Sequence, residues 1–251
     1  MDEVVRRFST LEALSQAAAD AVCQETAAAV RARGVCTLAL TGGSTPRRCY
    51  ELLASEPRRD GVPWDSLQFF WGDERAVAPD HEQSNFRLAR ETLLAPLAIP
   101  SSQIHRMEGE RQDLDVAAAA YEQTLAAVFA IPPDGPPPAF DLMLLAIGAD
   151  GHTASLFPYT PALHETRRWV LAHHVPALDA DRVTLTVPTL NQARSTIVLV
   201  SGRHKAAALA GVLEGPPDSD RLPAQLIRRT RGRLVWLVDE AAASELARPQ
   251  P

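Results

Sequence analysis

Val35-Cys36-Thr37-Leu38-Ala39-Leu40-Thr41-Gly42-Gly43-Ser44-Thr45-Pro46, followed by Arg47 to Ala54, decides the fold. Val35 to Leu40 is a mostly apolar run of strand length, Thr41 to Pro46 is glycine and hydroxyl with a proline at its end, and Arg47 to Ala54 reads helical. The unit is strand, glycine loop, helix. Upstream, Ser9 and Glu12 have capping-box spacing, and the Ala-rich stretch Leu11 to Arg33, closed by Gly34, predicts a helix. Downstream the unit recurs: Leu67 to Trp71 is apolar and aromatic, ends in Gly72-Asp73-Glu74-Arg75, and leads through Ser84 as N-cap to a helix over Asn85 to Leu94.

Leu114 to Phe129 predicts a further helix, and Phe140 to Ile147 a buried strand ending in Gly148-Ala149-Asp150-Gly151-His152. Trp169 to Val175 and Arg182 to Val187 read as strands, and Pro188 opens a short helix toward Arg194. Thr196 to Val200 is a strand, Lys205 to Glu214 a helix stopped by Gly215, and Leu234 to Val238 a last strand before a helix capped by Asp239. Apolar strands alternating with helices predict an α/β fold, a three-layer αβα sandwich around a mostly parallel, Rossmann-like sheet. In such sheets ligands bind beyond the carboxyl ends of the strands. Ile131 to Pro138, with five prolines and a glycine, must be a loop. The same alternation continues beyond it, so residues 1–251 are expected to form a single domain.

The 251 residues, 46% hydrophobic and 22% charged, suffice for a substantial core. A net charge of −6 disfavours a general electrostatic grip on nucleic acid or an anionic membrane, so an anionic ligand needs a locally basic pocket. Cys23, Cys36 and Cys49 form no even disulfide set, the start Met1-Asp2-Glu3 is unlike a signal peptide, and no apolar run nears the ~20 residues that span a bilayer. A cytoplasmic protein is expected. Without a coiled-coil pattern, monomer is the default.

Thr41 to Pro46 suits a small phosphate ester: glycines let backbone N–H groups approach, hydroxyls add donors, and a helix N-terminus follows. It is neither G-x-G-x-x-G nor a Walker loop, and the plain alternative is a tight turn before a helix. His152, on a loop after a buried strand, is a candidate general base because imidazole titrates near neutral pH; the alternative is a surface histidine on an Asp-Gly turn. Asp73-Glu74-Arg75 is either a solvated charge cluster or a set that orients sugar hydroxyls or the base. Arg182 and Lys205 could each reach a phosphate at the sheet edge, and Lys205 is singled out as the one lysine among 25 Lys and Arg residues. With no G-x-S-x-G elbow, a serine hydrolase is not supported; with no H-E-x-x-H or Cys/His cluster, neither is a metal site.

In one order, TGGSTP, WGDER with SNFRLARETLL, FDLMLLAIGADGHTASLFP, and RVTLTVPTLNQAR with SGRHKAAAL resemble the 6-phosphogluconolactonase family, over about Thr10 to Glu245. The resemblance implies a fold shared with glucosamine-6-phosphate deaminase and ribose-5-phosphate isomerase. It also implies a cytoplasmic enzyme of the oxidative pentose phosphate pathway that hydrolyses 6-phospho-D-glucono-1,5-lactone to 6-phospho-D-gluconate without a cofactor. The expected partner is the phosphosugar lactone alone. His152 would activate water with no covalent intermediate, and Asp73 or Asp150 would orient it. Gly42, Gly43, Ser44, Thr45, Glu74, Arg75, Asn85, Arg182 and Lys205 would bind substrate. The deaminase relatives share the GGSTP-like loop and the D-G-H turn but typically continue GHIAFNEP, with a ring-opening Glu; Phe157 stands at that place here. Sugar-phosphate sensors of the same fold carry a helix-turn-helix ahead of this domain, whereas the residues before Val35 read as one helix.

Overall fold

The computed structural model describes residues 3–133, 135–228 and 232–247. In chain order the elements are β1 (Glu3–Phe8), α1 (Leu11–Arg33), β2 (Cys36–Leu40), α2 (Ser44–Leu53), α3 (Arg58–Gly61), β3 (Leu67–Trp71), β4 (Asp73–Arg75), α4 (Asn85–Ala89) and α5 (Leu114–Phe129). They continue with β5 (Leu142–Ala146), β6 (Val170–Val175), β7 (Ala180–Leu185), α6 (Val187–Leu190), β8 (Ser195–Val200), α7 (Ala206–Leu213) and β9 (Arg233–Asp239). A six-stranded sheet has the order β1-β9-β8-β5-β2-β3, and every pair in it is parallel.

The strands alternate between two apolar faces, as their two-residue period requires. Leu38, Leu40, Leu142, Leu144, Ile197 and Leu199 pack with Leu14, Ala18 and Val22 of α1 and with Cys49, Tyr50 and Leu53 of α2. Their neighbours Ala39, Met143, Leu145, Val198 and Val200 face the other way, onto Tyr121 and Leu125 of α5 and Leu209 of α7. Burial on both faces explains why these strands read as unbroken apolar runs. β5, which follows the proline-rich segment, lies between β2 and β8 in this same sheet.

Several elements differ from the sequence-based reading. β1 was not expected: Glu3–Phe8 becomes a strand only by pairing with β9 from the far end of the chain. Asp73–Arg75 is a strand and not a loop; it joins β7 and β6 in a separate three-stranded sheet of order β4-β7-β6, antiparallel throughout. The two strands expected at Trp169 to Val175 and Arg182 to Val187 therefore lie outside the parallel sheet, and Val170, Leu171, Val183 and Leu185 cover its α5 side. The first helix is capped by Thr10, whose hydroxyl accepts from Ala13 N at 3.1 Å, one residue later than the Ser9 pattern suggested. Among the described residues beyond β9 the expected helix is a 3₁₀ turn, Ala242–Glu245, whose Ala242 N–H is accepted by Asp239 at 2.7 Å.

Strand order positions the site. From β2 the chain moves outward to β3, then returns on the other side of β2 through β5, β8 and β9. The order thus reverses between β2 and β5, the crevice where doubly wound sheets bind ligands. The β2–β5 ladder stops at Ala39↔Met143, so the carboxyl ends of these two strands pair with β3 and β8 but not with each other.

Candidate active site

The loops after β2, β5 and β8 converge with β4 and the start of α4 on a cavity of about 240 Å3 over that gap. Gly42, Gly43 and Ser44 form one wall, where α2 begins. No protein acceptor takes the N–H of Gly42 or Gly43 among the described residues, so both remain available at a helix N-terminus. Tyr50 braces the loop from behind: its buried hydroxyl donates to Thr41 O at 2.7 Å and accepts from Thr41 N at 3.0 Å. Gly42 is obligatory for packing, since a Cβ there would overlap the Asn85 carboxamide. The helix starts at Ser44, three residues before the expected Arg47, and this turns Thr45 inward; Thr45 is buried and does not line the cavity.

β4 delivers alternate residues to opposite sides. Asp73 and Arg75 line the cavity, whereas Glu74 faces the start of α4. There its carboxylate accepts from Asn85 N (2.8 Å), Phe86 N (2.8 Å), Arg75 N (2.8 Å) and Ser84 Oγ (3.1 Å). Burial pushes the Glu74 carboxyl up and the backbone N–H groups pull it down, with burial prevailing. Glu74 therefore secures the α4 N-terminus from outside the cavity lining, and it fixes Asn85 at the cavity wall. Asp73 is held on both oxygens, by Ser155 Oγ at 2.7 Å and Asn85 Nδ2 at 3.2 Å.

His152 sits on the loop after β5. Its Nδ1 is 2.6 Å from Asp150 Oδ1, which also accepts the His152 backbone N–H at 3.2 Å. The ring stacks on Phe157, centroids 4.2 Å apart and planes 23° from parallel. Burial raises the Asp150 carboxyl, but its bonds to His152 and the charge there outweigh this and hold it below the ordinary aspartate value. An ionised carboxylate only accepts, so Nδ1 is the nitrogen that carries a proton toward Asp150, and in the neutral ring Nε2 is then the one with the lone pair. Gly148 is required here, because a Cβ would overlap the His152 ring. Asp150, and not Asp73, is thus the carboxylate bonded to His152.

Lys205 closes the cavity from the loop after β8. Burial pushes its ammonium below the usual lysine value, and the charge of Asp239 acts in the opposite sense. Asp239 holds this loop by accepting from Ser201 Oγ at 2.5 Å and from Gly202 N at 3.1 Å. His204 also lines the cavity, with its ring against Gly202; the sequence reading gave it no role, although its place beside Lys205 was a signal. Arg182 stands opposite Arg75 across the β4–β7 pair and shares its face, but it lies outside the cavity lining and donates to Asp181 O at 2.8 Å. Burial and the Arg75 charge both lower the Arg182 guanidinium.

A larger hollow of about 640 Å3 lies between the start of α5 and the β6–β7 ribbon, lined by Asp113, Asp115, His173, His174 and Asp181. It has neither a glycine loop nor a lysine. Among the described residues no group of three or more His, Cys, Asp and Glu is arranged to hold a metal ion.

The family model described as glucosamine-6-phosphate isomerases/6-phosphogluconolactonase matches residues 9–236. The chain belongs to this family. A 6-phosphogluconolactonase of Synechocystis is 42% identical over 87% of this chain and 88% of its own length, and one of Mycobacterium tuberculosis is 37% identical over 98% and 99%. The solved 6-phosphogluconolactonase of Trypanosoma brucei superposes with a TM-score of 0.86, at 31% identity, over 98% of this chain and 99% of that one. A monomeric glucosamine-6-phosphate deaminase shares the fold, with a TM-score of 0.79 at 23% identity over 96% of this chain and 99% of its own. Locally, Phe157 forms an aromatic platform under His152.

Proposed function

We propose that this chain hydrolyses the C1 ester of 6-phospho-D-glucono-1,5-lactone, giving 6-phospho-D-gluconate, with His152 activating the attacking water. One observation carries the reading. His152, bonded to Asp150 and stacked on Phe157, lines the same cavity as the glycine loop, Arg75 and Lys205. Asp150 keeps the ring proton on Nδ1, leaving Nε2 as the one ring nitrogen able to accept a proton from water.

The 6-phosphate rests against the Gly42 and Gly43 N–H groups and the Ser44 hydroxyl, with Lys205 and Arg75 supplying positive charge. Anchoring at that end turns the lactone carbonyl toward His152 and converts the attack into a positioned event. As water adds to C1, the carbonyl electron pair moves to oxygen and the proton moves to Nε2; the imidazolium is stabilised by the Asp150 carboxylate. Collapse of the tetrahedral species breaks the C1–ring oxygen bond, and His152 returns the proton to the leaving oxygen. Asp73 and Asn85, fixed to each other, are placed to orient sugar hydroxyls. Glu74 acts through α4, and Thr45 and Arg182 act at a distance from the ligand.

The test compares freshly generated 6-phosphogluconolactone, corrected for spontaneous opening, with glucosamine 6-phosphate. Acceleration of the lactone alone supports the reading. Deamination of glucosamine 6-phosphate, or tight phosphosugar binding with no turnover of either compound, overturns it.

A further inference from the structure

Lys205 combines three features. It is the one lysine among 25 Lys and Arg residues. It makes no ion pair or hydrogen bond among the described residues, since the Asp239 carboxylate beside it is occupied by Ser201 Oγ, Gly202 N and Ala242 N. It also lines the cavity of about 240 Å3 that Gly42 and Gly43, with their open N–H groups, line as well. An ammonium that is not ion-paired and is partly withdrawn from water, with burial outweighing the charge of Asp239, gives up its proton more readily than a solvated one. The neutral amine is a nucleophile; a guanidinium is not.

We propose that Lys205 is a covalent modification site for phosphate-bearing aldehydes, which dock their phosphate on the Gly42–Ser44 loop and Arg75 and condense with Nζ. This rests on the phosphosugar reading of the cavity. The substrate class is the short-chain aldehyde phosphates, too short to close a sugar ring and so left with a free carbonyl. Unprotonated Nζ adds to the aldehyde carbon, forming a C–N bond while the carbonyl electron pair goes to oxygen, which takes a proton. The carbinolamine then expels that oxygen as water and leaves a C=N imine. Amine and aldehyde give imine and water, with no change in oxidation state. The adduct fills the cavity, so these compounds act as slow, reversible inhibitors that compete with the phosphosugar.

The experiment treats the whole chain with pyridoxal 5′-phosphate as the probe aldehyde, reduces with borohydride, which delivers hydride to the imine carbon and fixes it as a secondary amine, and maps the adduct by peptide mass. The expected result is about one adduct per chain at Lys205, lost in Lys205→Arg, and formed roughly tenfold more slowly by pyridoxal, which lacks the phosphate. Excess inorganic phosphate should slow the labelling. Adducts confined to the α-amino group, or equal labelling by pyridoxal, overturn the proposal. Mass mapping needs no turnover, which separates the two readings. A chain that labels at Lys205 but leaves the lactone untouched loses only the lactonase reading, and one that opens the lactone but does not label loses only this one.

Discussion

Replacing Asp150 with asparagine removes one charge and little else. The new carboxamide keeps a carbonyl oxygen that can accept the His152 backbone N–H, now bonded at 3.2 Å, so the loop retains its anchor. What is lost is the negative end of a 2.6 Å contact to Nδ1, short as charge assistance makes such bonds. In the transition state His152 becomes an imidazolium, so this charge acts on kcat rather than on ground-state binding. Unit charges about 4 Å apart interact by ~1 kcal/mol in water and ~4 kcal/mol at an effective dielectric near 20. The two side chains are 30% and 47% exposed, so solvent screening places the loss toward the lower half of that range, about 2 kcal/mol. That corresponds to a fall in kcat of roughly 30-fold, with KM little changed. The assay is initial-rate lactone hydrolysis with the spontaneous rate subtracted, and a thermal melt confirms folding. A folded Asp150→Asn enzyme with kcat within about threefold of wild type, or one altered only in KM, would refute the orienting role.

Gly148→Ala drives a methyl into the His152 ring, so kcat should fall by about 10²-fold or more, read in the same assay alongside a circular dichroism spectrum that stays native. Lys205→Met keeps the stem but deletes the charge, and KM should rise about tenfold or more while kcat moves less; an unchanged KM would make Lys205 structural. At the opposite edge of the sheet, Asp141 accepts from Thr37 N at 2.9 Å and pairs with Arg33 at 2.7 Å. Asp141→Ala strands that N–H and should cost about 2 kcal/mol in a urea titration without altering KM. Glu165 is held down to about 2 by the Arg167 N–H first, then by Arg168. A carboxyl lowered in the folded state contributes stability above its ordinary value of about 4.3 and loses it as pH falls toward about 2, so Glu165→Gln should flatten the acid limb of thermal stability over that window.

The parallel core was legible because its signals are local. Leu67–Trp71 and Leu114–Phe129 carry their own apolar pattern and formed a strand and a helix with those boundaries. Glu3–Phe8 and Asp73–Arg75 do not, since their pairing energy comes from partners far along the chain, β9 and β7. The site divides in the same way. Residue types at strand ends indicated His152, Lys205 and the glycine loop. Facing depended on structure: once Asp73–Arg75 is a strand, Glu74 must point away from its neighbours, and once α2 starts at Ser44, Thr45 must turn inward. The choice between Asp73 and Asp150 as partner of His152 needed a distance, because both lie on strand-end segments that converge on the cavity.

The most direct measurement is the rate of 6-phosphogluconolactone opening by wild type and by His152→Ala at one near-neutral pH, each above the spontaneous rate and at saturating substrate. The account predicts clear acceleration by wild type and a kcat lower by roughly 10²–10⁴-fold in the variant. A folded His152→Ala protein with kcat within a few-fold of wild type would contradict it.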